Sequence, residues 1–150
     1  MAPTPASASV RGNGDHEPEL PVTLVFDGYC GVCTRLVRWI RVQDRGGRIN
    51  ALPSQLPGVL DRYGLTREQA AREVWAVDAA GKVWSGAEAI FVILDLLGPP
   101  WSRLAAWSRL PPFRQLAGPS YHWFAAHRHW FGRWGATPEC EDPGRGCLPP

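Results

Sequence analysis

The sequence predicts an α/β domain: a mixed four-stranded sheet with flanking helices, followed by a C-terminal aromatic-rich helical extension. Three observations carry this reading. Short β-branched runs alternate with stretches of helical periodicity between residues 22 and 97. Two cysteines, Cys30 and Cys33, follow the first of those runs across a turn at Asp27-Gly28. Five of the eight tryptophans lie between Trp101 and Trp134, after the alternation has ended. At 150 residues, with 45% apolar and 20% charged side chains, the chain suits one domain around one core.

Residues 1–20 are rich in Ala, Ser, Pro, Gly and acidic side chains, the composition of a disordered tail, and show no apolar stretch of the secretory-signal kind. Order is expected to begin at Val22-Thr23-Leu24-Val25-Phe26, a buried-strand run. Cys33, Leu36, Val37 and Ile40 then fall at the spacing of one buried helical stripe. Arg35, Arg38, Arg41 and Arg45 take another face, read as solvated, and Gly46-Gly47 marks the helix end. A second strand fits Arg48 to Leu52, and residues 56–73 suggest a broken helical segment. Val74 to Val77 and Lys82 to Trp84 flank a four-residue loop ending in Gly81, which predicts a hairpin. An apolar helix, Ala87 to Leu97, stops at Gly98-Pro99-Pro100. That order, β-α-β-α-β-β-α, is the thioredoxin-like arrangement. Pro111-Pro112 and Gly118-Pro119 are expected to divide the last third into short helices. The domain is thus assigned to residues 21–137, with 138–150 as a flexible C-terminal tail.

Bulk properties restrict the function. A net charge of +2 is too small by itself to imply a nucleic-acid or anionic-membrane partner, and no nucleic acid is expected. The most apolar run, Ala89 to Leu97, is too short for an integral membrane segment and carries Asp95. Four cysteines are too few for a disulfide-stapled secreted scaffold, so a cytoplasmic location is expected, where a close cysteine pair is more often catalytic or metal-binding than structural.

Cysteines three apart on a first helical turn bring their Cα atoms to about 5 Å, inside the disulfide window. The helix N-terminus favours a thiolate, through unpaired N–H groups and the backbone dipole. Cys30 is therefore expected to attack a disulfide and Cys33, on the apolar stripe, to resolve the mixed disulfide. Asp27 is placed either to carry a proton to or from Cys33, or to cap the helix or shape the turn. The substrate would be a protein disulfide or a small thiol, with an unidentified electron donor and no organic cofactor.

Other readings compete. Cys30, Cys33, Cys140 and Cys147, with His122, His127 and His129, could bind zinc, but six residues separate Cys140 from Cys147, more than the usual spacing. Pro143-Gly144 could turn Cys140 and Cys147 into a second redox pair, although free thiols on a tail are the favoured expectation. Trp101, Trp107, Trp123, Trp130 and Trp134, interleaved with Arg103, Arg109, Arg114, Arg128 and Arg133, could form a binding surface. Packing of these aromatics over the sheet is preferred.

With Asp27-Gly28-Tyr29-Cys30-Gly31-Val32-Cys33 in view, preceded by Phe26, the chain resembles the DCC family of thiol–disulfide oxidoreductases, named for its D-x-x-C-x-x-C motif. The likeness extends through Gly81 to Ala87 and through Tyr121 to Gly132, covering roughly residues 22–135. It implies Asp27, Cys30 and Cys33 as functional residues on a thioredoxin-like fold. Two departures stand out. Gly86 occupies a position that is often acidic in the family, and no proline precedes Val74, where typical thioredoxins hold substrate backbone with a cis-proline. Substrate docking is therefore expected to differ from thioredoxin.

Overall fold

The computed structural model describes residues 17–150, apart from the side chain of Arg133. The tail expected at residues 1–20 thus lies outside the described residues as far as residue 16. Of its remainder, Glu19 is bonded to the loop of the hairpin: its N–H donates to Asp78 Oδ2 (3.1 Å) and its carbonyl accepts from Ala79 N–H (2.9 Å).

The chain forms β1 (Val22–Phe26), α1 (Gly31–Gln43), β2 (Ile49–Pro53), α2 (Val59–Tyr63), α3 (Arg67–Arg72), β3 (Trp75–Val77), β4 (Val83–Ser85), α4 (Gly86–Leu96), α5 (Trp101–Trp107) and α6 (Pro111–His127). Three 3₁₀ segments follow, Arg128–Trp134, Glu139–Glu141 and Pro143–Arg145. The sheet order is β2-β1-β3-β4, with β2 parallel to β1 and the other neighbours antiparallel. This is the mixed four-stranded, thioredoxin-like α/β fold.

Strand β1 lies inside the sheet, and every one of its residues is buried. Side chains alternate across a strand. Val22, Leu24 and Phe26 therefore share one face, where they meet Val37 and Ile40 of α1 and Ala89 and Ile93 of α4. On the opposite face, Tyr63 at the end of α2 donates its hydroxyl to Thr23 Oγ1 (3.1 Å). The break between α2 and α3 comes from Gly64, at φ 65°, and from Thr66, whose side chain and that of Gln69 form a reciprocal cap on α3.

Several expectations change. Helix α1 ends at Gln43, before Gly46-Gly47, because Asp44 leaves the helix and its carboxylate accepts from Arg48 and Ile49 N–H, steering the chain into β2. Helix α6 runs through Pro119 instead of breaking there. Proline removes one N–H but its φ is helical, and none of α6 is buried, so no tight neighbour enforces a break. The aromatics of the extension do not pack over the sheet as a set, because α4 already covers that face. Trp101 meets Trp39 edge-on at 4.7 Å, whereas Trp107, Trp123, Trp130 and Trp134 are exposed. Nor is the arginine stripe of α1 merely solvated. Arg41 donates to both oxygens of buried Glu139 and to Ala51 O (each 3.1 Å), and Arg35 donates to Trp134 O (2.6 Å). Both hold the C-terminal segment against α1. No helix among the described residues is long and apolar enough to cross a membrane.

The position of the core makes a stability contrast. Ile93→Ala should cost about 2–5 kcal/mol by emptying a buried site. Leu116→Ala, on exposed α6, should stay within about 0.5 kcal/mol. Urea unfolding of the two variants checks the difference; equal midpoints would contradict the placement of the core.

Candidate active site

The carboxyl end of β1 and the first turn of α1 build the site. Phe26 closes the strand, and the turn that follows is tied by Cys30 N–H donating to Asp27 O (3.2 Å). Cys30 itself is the N-cap of α1, in extended backbone, and its Sγ accepts from Cys33 N–H at 3.2 Å. An N-cap normally offers an oxygen to an unpaired amide; here sulfur takes that position, which favours its ionised form.

The two sulfurs are driven apart electrostatically. The Cys30 thiol falls from an ordinary 9.0 to about 6, first through the hydrogen bond from the Cys33 thiol, opposed by burial and helped by the Cys33 amide and the Arg128 charge. Asp27 pushes weakly the other way. Cys33 is pushed far upward, first because its thiol donates to Cys30 and then because it is buried. One sulfur is an anion near neutrality and the other keeps its proton. Both are free thiols, half-buried.

Asp27 is pinned on all sides. Its Oδ1 accepts from Tyr29 N–H (3.0 Å) and Gln55 Nε2 (2.9 Å), while Oδ2 lies 3.3 Å from the Arg128 guanidinium. Gln55 also accepts from Gly28 N–H (2.9 Å), so one amide side chain fixes both residues of the turn. Arg128 is held in place by donating to Ala71 O (2.6 Å). The turn-shaping reading of Asp27 is thus visible directly, and the helix cap belongs to Cys30.

The amide ahead of β3, where no proline stands, is occupied: Val74 N–H donates to the Tyr121 hydroxyl (2.9 Å). Burial raises the Tyr121 phenol, with smaller contributions from Cys33 and Glu73. Gly86 has φ 57°, and a Cβ there would come 2.8 Å from Glu73 Oε2. The Glu73 carboxylate therefore stands beside Gly86.

The structure unites Asp27, Cys30 and Cys33, and leaves other candidates apart. His127 bonds Trp123 O (2.7 Å) and packs between Trp123 and Trp130, while His122 and His129 are exposed. Cys140 and Cys147 are joined by a disulfide, correcting the expectation of free thiols and leaving the four-thiolate zinc arrangement unassembled. Among the described residues no group of three or more His, Cys, Asp or Glu side chains is placed to hold a metal ion. Residues 138–150, read from sequence as a flexible tail, make specific bonds: Cys140 N–H to Gly28 O (2.9 Å), Leu148 N–H to Gln55 O (2.8 Å) and the Tyr29 hydroxyl to Leu148 O (3.0 Å). A cleft of about 400 Å³ lies alongside, lined in part by Asp27, Tyr29, Gln55, Leu56 and Leu148.

Arg128, Gln55 and Tyr121 were not singled out as site residues from the sequence. The local signal for close packing was the glycines of the motif. A Cβ on Gly31 would meet Ala136 O at 2.6 Å, and one on Gly28 would collide with Cys140 Sγ.

A depressed thiol couples folding to pH. The unfolded chain binds the Cys30 proton up to its higher ordinary value, so the thiolate stabilises the folded, reduced protein above that value and the benefit fades as pH falls toward about 6. Reduced wild-type protein should therefore gain stability over Cys30→Ala as pH rises from 6 to 9. Arg128→Leu should raise the lower edge of that window. Unfolding midpoints across pH measure both, and a flat difference would contradict the shift.

The geometry can be set beside known proteins. A family model described as DCC1-like thiol-disulfide oxidoreductase matches residues 24–134. No curated protein matches the chain, and no solved structure does.

Proposed function

Because the chain belongs to the DCC1-like thiol-disulfide oxidoreductase family, we propose that it reduces disulfides of proteins or small thiols through Cys30 and Cys33. The observation that carries this reading is the hydrogen-bonded, divergent pair of sulfurs at the start of α1. The Cys30 thiolate attacks one sulfur of a substrate disulfide; that S–S bond breaks, and the other substrate sulfur leaves as a thiolate. Cys33 then loses its proton and attacks Cys30 Sγ. This frees the second substrate thiol and leaves a Cys30–Cys33 disulfide, two electrons having passed to the substrate. An external dithiol returns the pair to the reduced state.

Cys33 needs a proton acceptor for its step, because its thiol is strongly held. Asp27 is the carboxylate whose charge acts on both sulfurs, and we assign it that role in addition to shaping the turn. A cytoplasmic setting belongs to the same proposal, since a reducing compartment keeps the working pair as thiols.

Cys30→Ser should abolish reduction of a model disulfide, and Cys33→Ser exposed to an excess of aromatic disulfide should retain a mixed disulfide on Cys30. Turnover by Cys30→Ser at the wild-type rate would refute the assignment. Asp27→Asn keeps an oxygen for Tyr29 and Gln55 while removing the charge. It should lengthen the life of the mixed disulfide by about tenfold or more, within the range of general base catalysis, with little loss in the rate of first attack. Stopped-flow separation of the two steps distinguishes this from a purely structural role, which would slow both.

A further inference from the structure

The C-terminal segment straddles the turn that carries Cys30. On one side, Ala136 N–H donates to Gly31 O (3.0 Å) and Gly135 lies against Gly31 so closely that a Cβ on Gly135 would fall 2.7 Å from Gly31 C. Farther along, Glu139 N–H donates to Thr34 Oγ1 (3.1 Å). On the other side, Cys140 N–H donates to Gly28 O (2.9 Å), and its Sγ packs directly on the Gly28 Cα. Cys30 sits between Gly28 and Gly31. Two residues span at most about 7 Å between Cα atoms, and the Cys30-to-Asp27 turn shortens that distance. The disulfide thus sits on the same turn that carries the dithiol.

The segment is anchored unequally. Glu139 is buried and paired with Arg41 and Arg145 (3.1 and 3.0 Å), which fixes Cys140 at the turn. Cys147 is more exposed and follows Gly146 at φ 69°, although its neighbour Leu148 is bonded to Gln55 O and to the Tyr29 hydroxyl. Of the two sulfurs, Cys140 is the more firmly held.

We propose that Cys140–Cys147 is a second redox pair that exchanges internally with Cys30–Cys33, passing reducing equivalents between the buried turn and the accessible tail. This rests on the reductase reading of Cys30. The Cys30 thiolate attacks Cys140 Sγ; the Cys140–Cys147 bond breaks and Cys147 departs as a thiolate. Cys33 gives up its proton, attacks Cys30 Sγ and releases Cys140. One dithiol and one disulfide are consumed and one of each is formed, so the exchange needs no other oxidant or reductant. The outer pair, now reduced, is a second dithiol that can meet a disulfide, alongside Cys30.

The test uses the full chain with Cys33→Ser and Cys147→Ser combined, leaving Cys30 and Cys140 as its only thiols, equilibrated in a glutathione redox buffer. The expected product is a monomer with a Cys30–Cys140 disulfide, seen by mass spectrometry as tryptic peptide 12–35 joined to peptide 134–145. It should outcompete glutathione adducts, and its proportion should not change on dilution. Cys33→Ala in place of Cys33→Ser, with circular dichroism of both, guards against a folding artefact. Glutathione on Cys30 with no internal link would overturn the relay and leave the reductase reading standing. A Cys30 that forms neither bond would defeat both.

Discussion

One contact governs the site: a sulfur at the start of a helix, accepting hydrogen bonds from the amide and thiol one turn further on. The amide at Cys33 is among those that an α-helix cannot satisfy internally, and Cys30 Sγ receives it at 3.2 Å. The same atom that completes the helix is thereby held as an anion. Strand β1 makes this possible by delivering the chain from inside the sheet to the first turn of α1, with Val22, Leu24 and Phe26 packed against Val37 and Ile40. A shift in that packing would rotate the first turn and separate the two sulfurs.

Charge around the pair is arranged to be tuned instead of maximal. Arg128 favours the thiolate and Asp27 opposes it, yet the two lie 3.3 Å apart and offset one another. What remains in control is the thiol-to-thiolate hydrogen bond, which ranks ahead of burial for Cys30 and ahead of burial for Cys33 in the opposite direction. The asymmetry of the two cysteines is therefore intrinsic to their spacing. Gln55 contributes by geometry alone, bonding both Asp27 and Gly28 from the loop after β2.

The sequence made the sheet and α1 legible because their signals are local. Alternation marks β1, the stripe from Cys33 to Ile40 marks the helix, and the Asp-Gly turn between them marks the site. Partners reached through the tertiary fold were not legible. Arg128 arrives from beyond α6, and nothing in its neighbourhood of aromatics distinguished it from Arg103 or Arg114. The docking of residues 135–148 rests on ion pairs of the buried Glu139, on single backbone hydrogen bonds and on glycine contacts, none of which leaves a periodic trace. Composition misled in two places. Tryptophan content in the extension suggests packing over the sheet, but α4 already covers that face and four of the five, all but Trp101, are exposed. The arginines of α1 read as a solvated stripe, whereas Arg35 and Arg41 grip the C-terminal segment.

Ionisation of the Cys30 sulfur is tested most directly by the pH profile of alkylation in the fully reduced wild-type chain, resolved to each cysteine by peptide mass spectrometry. Cys30 should react at half its maximal rate near pH 6, with Cys33 unmodified over the same range. A Cys30 rate that rises only toward the ordinary thiol value of 9.0, in step with Cys33, would contradict the account.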